Sequence, residues 1–414
     1  MKVVFCYYDG PNDVGGVSSW LQRLLPGLQA VGVEVEVHMF GSSGANCAGF
    51  ARQGIPFRLI PGEPETPRAV RNCLKLIEES QPDIYVPNCI VPAYFAAGMA
   101  RRQGVHTVGV LHSVDPFYEA VVDEFVCGAP AFRLSSLVAV SKFIEESVAV
   151  STEKHKVITR RIGCGVPLAS EFAQRSEDVF RLVYTGRLEE EQKRISEVTR
   201  AMCAVVKQNP GVEAWIVGDG SARPAVERII QTSGLGPHRV KLLGRVEVSR
   251  IYSVLQQCHA FVLLSDYEGL PVSMLEAMAV GVVPICLDMR SGIREAIQSG
   301  FNGLIVQNRQ EDFYAAVQTL KNDSVRWAEF SANARATVRE RFSEEACASA
   351  WEELLRSFDR TPRRPPFKSP RLLSLPRRNP KFGIYDQRTP LLRKGLNHLR
   401  ITLGHYRRKL FPAA

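Results

Sequence analysis

Short β-branched runs alternate twice with helix-length amphipathic segments along this sequence, and that alternation limits its fold more than any other feature. Lys2–Tyr7 reads as a strand, Val17–Val31 as a helix and Val33–Met39 as a strand. Ile84–Pro87, Thr107–Leu111 and Leu137–Ser141 continue the strand series, with helices such as Pro67–Gln81 between them. A second series starts at Phe180–Thr185 and runs through Ala214–Val217, Val240–Leu243, Ala260–Leu264 and Val283–Leu287. Helices near Ser196–Gln208, Ala222–Thr232, Ser249–Gln256 and Pro271–Ala279 separate those strands. Such alternation predicts parallel sheets covered by helices on both faces. Two series predict two doubly wound α/β domains, with a linker near Pro167–Asp178 where polar residues interrupt the pattern. A last helix, roughly Ser343–Phe358, starts at a Ser343 cap. Ligands of doubly wound sheets sit beyond the carboxyl ends of the strands, so the cleft between the domains is the expected site.

The 414 residues suit two domains. With 45% hydrophobic and 23% charged residues, the composition is that of an ordinary globular protein rather than a disordered or fibrous one. The net charge of +9 is unevenly placed. From Arg360 to Ala414 there are fifteen Lys/Arg and one acid, Asp386, whereas the remaining 359 residues hold 37 basic and 42 acidic ones. The body is therefore mildly acidic and is not expected to bind nucleic acid. The ten cysteines are scattered singly with no Cys-x-x-Cys pair, which argues against a zinc site or a disulfide framework and for a reducing, cytoplasmic setting. The N-terminal apolar run is too short for a secretory signal, and no stretch is long enough for a spanning helix.

The most informative segment is Ser265-Asp266-Tyr267-Glu268-Gly269-Leu270-Pro271-Val272-Ser273-Met274-Leu275-Glu276-Ala277-Met278. It follows an apolar strand and opens a helix, with Pro271 expected at the first helical position. Glu268 precedes the helix and Glu276 lies on its second turn. Two carboxylates so spaced can flank a helix mouth whose free N–H groups attract a phosphate. A nucleotide sugar has that layout of sugar, diphosphate and ribose. The bland alternative is one solvated carboxylate and one on a helix surface.

This segment resembles the Glu-x7-Glu signature of family-4 glycosyltransferases, which have the GT-B fold of two Rossmann-like domains facing across a cleft. The resemblance covers most of Val3–Glu353. Gly186-Arg187-Leu188-Glu189-Glu190-Glu191-Gln192-Lys193-Arg194 is similar to the family's Gly-Arg-Leu loop, which implies that Arg187 and Lys193 grip the donor's diphosphate. Two cations there would neutralise the leaving group, and no metal or other cofactor is expected. Val217-Gly218-Asp219-Gly220 and Gly244-Arg245-Val246 resemble turns near the nucleotide. Gly15-Gly16-Val17 resembles the glycine pair that lets backbone approach phosphate and sugar, and is not a Gly-x-Gly-x-x-Gly dinucleotide fingerprint. His112, at the end of strand Thr107–Leu111, stands where the family commonly has a histidine contacting the donor sugar. Val138–Ser141 resembles the strand that ends in serine, and Arg161–Pro167 replaces the usual Asn-Gly-Val hinge without its asparagine.

The implied enzyme is a retaining hexosyltransferase that moves sugar from a nucleotide diphosphate to a glycan, lipid-linked or small-molecule acceptor. The expected site is Glu268, Arg187, Lys193 and His112 for chemistry, with Gly15, Gly16, Gly186, Gly218, Gly269, Leu270 and Glu276 holding the donor. The expected domains are 1–168, rejoined by helix 343–358, and 169–342, with a basic Pro-rich tail at 360–414. Within that tail, 391–411 reads as a basic amphipathic helix that fits either peripheral docking on an anionic membrane or a solvated or protein-packed helix. A nucleotide-sugar epimerase or phosphorylase, and a non-catalytic sugar-nucleotide-binding scaffold, are the competing readings.

Overall fold

Runs of Val, Ile, Phe and Tyr build two wholly parallel sheets in the computed structural model, which describes residues 1–9, 15–41, 44–60, 62–63, 65–176, 178–358 and 365–387. The first domain comprises β1 (Lys2–Asp9), α1 (Gly16–Ala30), β2 (Glu34–Gly41), α2 (Ala45–Arg52), β3 (Phe57–Ile60), α3 (Thr66–Ser80), β4 (Ile84–Val86), α4 (Val91–Arg101), β5 (His106–Leu111), α5 (Pro116–Val122), β6 (Ser136–Ala139), α6 (Lys142–His155) and β7 (Ile158–Arg161). The second comprises β8 (Phe180–Thr185), α7 (Ile195–Gln208), β9 (Val212–Val217), α8 (Arg223–Thr232), β10 (Val240–Gly244), α9 (Ile251–Leu255), β11 (Ala260–Leu263), α10 (Val272–Ala279), β12 (Val283–Leu287), α11 (Ile293–Ala296), β13 (Leu304–Val306), α12 (Glu311–Asn322) and α13 (Ser324–Arg341). Helix α14 (Glu344–Ser357) follows.

The strand orders are β3-β2-β1-β4-β5-β6-β7 and β10-β9-β8-β11-β12-β13. Each order reverses once, between β1 and β4 in the first sheet and between β8 and β11 in the second. Connections leave the sheet in opposite directions there, and a crevice opens beyond the strand ends. Side-chain caps fix three helix starts near the cleft or the hinge. Asp115 accepts from the Phe117 and Tyr118 N–H groups on α5, Ser141 from Ile144 N–H on α6, and Ser343 from Ala346 N–H on α14. Pro271 stands just before α10 as its cap residue rather than inside its first turn.

Helix α14 leaves the second domain and packs on α1 of the first. Fully buried Trp351 carries this contact, its ring centroid 5.7 Å from that of Phe5 and 5.9 Å from that of Trp20. The axes approach closely at Gly27, where a Cβ would stand 2.9 Å from that of Ala348. Part of the basic Pro-rich tail also packs on the first domain. Phe367, Phe382 and Asp386 are wholly buried. Phe382 sits among Phe117 and Phe125, and Thr66 Oγ1 donates to Asp386 Oδ1 at 2.9 Å. The chain from 365 to 387 is thus a strap over α3 and α5, while the basic amphipathic stretch 391–411 lies outside the described residues. All ten cysteines are free thiols. Among the described residues no helix is long and apolar enough to cross a membrane.

Candidate functional site

The second domain presents the charged side of the cleft. Gly186 leaves β8 and its N–H donates to Val217 O at 3.0 Å. A Cβ at Gly218, where φ is +142°, would stand 1.8 Å from the Gly186 carbonyl oxygen. Only glycine permits that approach, so the β8 and β9 exits lie against each other. The loop that follows carries Arg187 and Lys193. Arg187 is exposed, with its backbone carbonyl accepting from the Tyr184 hydroxyl at 2.8 Å and its guanidinium donating to Gln192 Oε1 at 3.1 Å. Lys193 forms an ion pair with Glu268, which stands in the loop after the neighbouring β11, and their side chains are only 13% and 8% exposed. The second carboxylate oxygen of Glu268 accepts from Gln192 Nε2 at 3.1 Å. One short network therefore joins Arg187, Gln192, Lys193 and Glu268 at the switch point between β8 and β11. Behind it, Asp266 pairs with Arg309 and lies 3.6 Å from Arg194, locking the two loops together.

Glu276 faces the first domain from α10. Its Oε1 lies 2.5 Å from an Nη2 of Arg23 on α1, and Arg23 also lies 3.7 Å from Glu344. Burial disfavours the charge on Arg23, but Glu276 outweighs it and holds the guanidinium above its ordinary pKa. The Nη1 of Arg23 is buried without a partner.

The first domain adds to Arg23 a set of uncharged groups. Gly15 has open space around it, and a Cβ on Gly16 would lie 3.3 Å from Val272 at the mouth of α10. His112 ends β5, with its Nε2 2.8 Å from Asn88 Oδ1 and its ring edge-on to Trp20 at 4.9 Å. Burial lowers its pKa from 6.5 to about 3, so the imidazole is neutral. Against a carbonyl oxygen, Nε2 carries the proton, which leaves Nδ1 as an acceptor. The two sides meet at Gly269, where a Cβ would stand 1.9 Å from the His112 carbonyl oxygen. Leu270 packs beside the hinge at Gly163, whose Cβ would lie 3.3 Å from it.

The residues singled out in the sequence thus fall into three groups. Arg187, Lys193 and Glu268 share one network, flanked by Gly186 and Gly218. His112, Gly269, Leu270 and Gly16 line the seam between the domains. Glu276 belongs to a separate ion pair on the same helix whose mouth faces Gly16. Two further residues carry no motif: Asn88, fully buried at the β1/β4 switch point with its Nδ2 unpartnered, and Arg23. Asn88 follows a strand end, a position that can be read from sequence. Arg23 is a lone charge in the apolar run Trp20–Leu25, and nothing local reveals its partner. Among the described residues no three His, Cys, Asp or Glu side chains gather to hold a metal ion.

Comparison with known proteins follows the same division. Residues 169–337 match the family described as Glycosyl transferases group 1, and 14–169 match Glycosyltransferase Family 4. The poly(ribitol-phosphate) alpha-N-acetylglucosaminyltransferase of Staphylococcus aureus is 29% identical over 40% of this chain and 33% of its own length. The lipopolysaccharide 1,6-galactosyltransferase of Salmonella typhimurium is 24% identical over 62% of this chain and 71% of its own. The chain thus spans about a third of the first of these relatives. Among solved structures, Anabaena Alr3699/HepE in complex with UDP superposes with a TM-score of 0.71 at 20% identity, covering 86% of this chain and 100% of that one. A variant of S. aureus TarM in complex with Fondaparinux, alpha-GlcNAc-glycerol and UDP gives 0.70 at 14% identity, covering 86% and 100%.

Proposed function

The chain belongs to the family-4 glycosyltransferases of the GT-B fold, its two matches together spanning residues 14–337, and we propose that it transfers a hexosyl group from a nucleotide diphosphate sugar to a glycan, lipid-linked or small-molecule acceptor, with retention of configuration and without a metal. One observation carries the proposal: Arg187, Lys193 and Glu268 converge through Gln192 at the strand-order switch of the second sheet, where Gly269, next to Glu268, meets the His112 carbonyl of the first.

On this reading the diphosphate of the donor takes Lys193 from Glu268 and draws in the exposed Arg187. Both cations then sit where negative charge grows as the glycosidic bond breaks. Glu268, released from its lysine, accepts from sugar hydroxyls, and Nδ1 of His112 accepts from another. Glu276 accepts from the ribose hydroxyls and shares Arg23 with them. No carboxylate is assigned as a nucleophile, so the acceptor attacks on the face that the diphosphate leaves, and the departing diphosphate takes the acceptor's proton. Closure of the Gly269–His112 seam excludes water and limits hydrolysis of the donor. UDP, bound in the HepE and TarM structures, is the nucleotide to try first.

Thermal shift against a panel of nucleotide sugars, followed by NMR of the anomeric proton in the product, tests the reading. A stabilising donor and a product of unchanged anomeric configuration are expected. Inversion, or stabilisation by no nucleotide sugar, would refute it. We further propose that 391–411 docks on anionic membrane. Because the strap packs on the body, the chain to compare with the full length in liposome co-sedimentation is 1–387, and equal binding by the two would end that idea.

A further inference from the structure

On the face of the first domain opposite the cleft, the start of β5 and the ends of α4, α6 and α14 surround a cavity of about 550 Å³. Its wall carries Arg101, His106, Arg133, His155 and Lys156, and Phe358 stacks on His106 with ring centroids 4.9 Å apart. Among the described residues no carboxylate lines it. Basic side chains at the ends of α4 and α6 have an ordinary explanation, since they complement the helix dipoles. That accounts for Arg101, His155 and Lys156. It does not account for Arg133, which comes from a loop, or for His106, which comes from a strand.

Among the described residues, three further observations bear on this charge. Arg101 donates an Nη2 hydrogen to Pro130 O at 2.8 Å, yet its Nε is buried with no partner. Burial, then Arg133 and Arg102, lower the pKa of Arg101, and burial, then Arg133 and Lys154, lower that of His155. Lys156 holds the left-handed conformation with φ of 55°, a helix-terminal position that favours glycine, and so keeps a cation at the rim against backbone strain. A concave set of three close cations, Arg101, Arg133 and Lys156, with two imidazoles able to donate beside them, is relieved by an anion that accepts from several donors at once. We propose that this cavity is a second binding site, separate from the nucleotide cleft, that takes a phosphate group. That group can belong to a soluble phosphorylated compound or to a lipid headgroup.

Calorimetric titration with inorganic phosphate tests this on full-length protein. The nucleotide cleft is itself built for phosphate, so the comparison is between R187A/K193A, altered in the cleft, and R133A/K156N, altered in the cavity. Asparagine tolerates the left-handed conformation at position 156. Saturable binding is expected to survive in R187A/K193A and to weaken at least about tenfold in R133A/K156N. Equal binding by wild type and R133A/K156N, or none by R187A/K193A, overturns the site. If R133A/K156N melts without a cooperative transition, K156N alone replaces it, with an expected weakening of about threefold. Co-sedimentation with phosphatidylglycerol vesicles, against phosphatidylcholine as control, then separates the sources. Loss in R133A/K156N points to a lipid phosphate, and unchanged co-sedimentation beside weakened phosphate binding points to a soluble one.

Discussion

The two halves face each other across one cleft but are built differently. The second domain is a continuous stretch of chain, β8 through α13, and its mouth is held by charge: Lys193 to Glu268, Arg309 to Asp266, Arg194 to Glu197. The first domain needs α14 and the 365–387 strap from the far end of the chain, and its described cleft residues are held otherwise: Arg23 reaches across to Glu276, Asp115 caps α5, and an uncharged His112 rests on Asn88. The lesson is a division of labour. On the proposed function, the ion-paired loops of the second domain grip the diphosphate, and the first domain supplies shape and closure.

The sharpest way to break this comparison is to attack the borrowed helix. Trp351→Ala empties a fully buried site between Phe5 and Trp20 and is expected to destabilise the first domain by about 3–5 kcal/mol, read in denaturant unfolding. An unchanged midpoint would show that the first domain does not depend on α14. The seam comes next. Gly269→Ala puts a methyl group onto the His112 carbonyl, so kcat/KM is expected to fall about a hundredfold while the melting temperature holds, because closure is lost and not folding. Charge on the second domain is tested by Lys193→Ala and Glu276→Ala, each expected to lower transfer at least about tenfold, or roughly 1.4 kcal/mol. Near-normal kinetics in both would refute their roles.

The smallest expected effect concerns pH. Because burial lowers the His112 pKa from 6.5 to about 3, its neutral form persists above about pH 3. Between those values the unfolded chain binds the proton and the folded one does not, so stability from this group is present above 6.5 and is lost as pH falls toward 3. His112→Gln should therefore remove no inflection from the transfer profile between about pH 5 and 8. An inflection that vanishes with the substitution would mean that His112 gains a proton within that range.

Much of this could be read from sequence for a physical reason. Fully buried parallel strands are continuous apolar runs, and Phe180–Thr185 and Val283–Leu287 have the bounds that pattern predicts. The glycine turns and the Ser343 cap are equally local. What was missed depends on contacts between distant positions. Arg23 and Glu276 are 253 residues apart, and no local pattern announces their pairing. The strap was hidden because its two anchors, Phe367 and Phe382, are spaced too sparsely in a Pro-rich, basic stretch to give a period. Helix α13 does leave a local trace: Trp327, Phe330, Ala334 and Val338 fall on one buried face within a highly charged segment.

The strap also has a bearing on synthesis. Because Thr66 and Gln81 find hydrogen-bond partners in Asp386 and Phe367, which are translated some three hundred residues later, the amino-terminal half emerges from the ribosome first yet is finished last. The contiguous half has no such wait. A nascent chain of this protein should therefore reach its mature form in reverse of the order in which it is made, with the early-made domain relying on its late-made end.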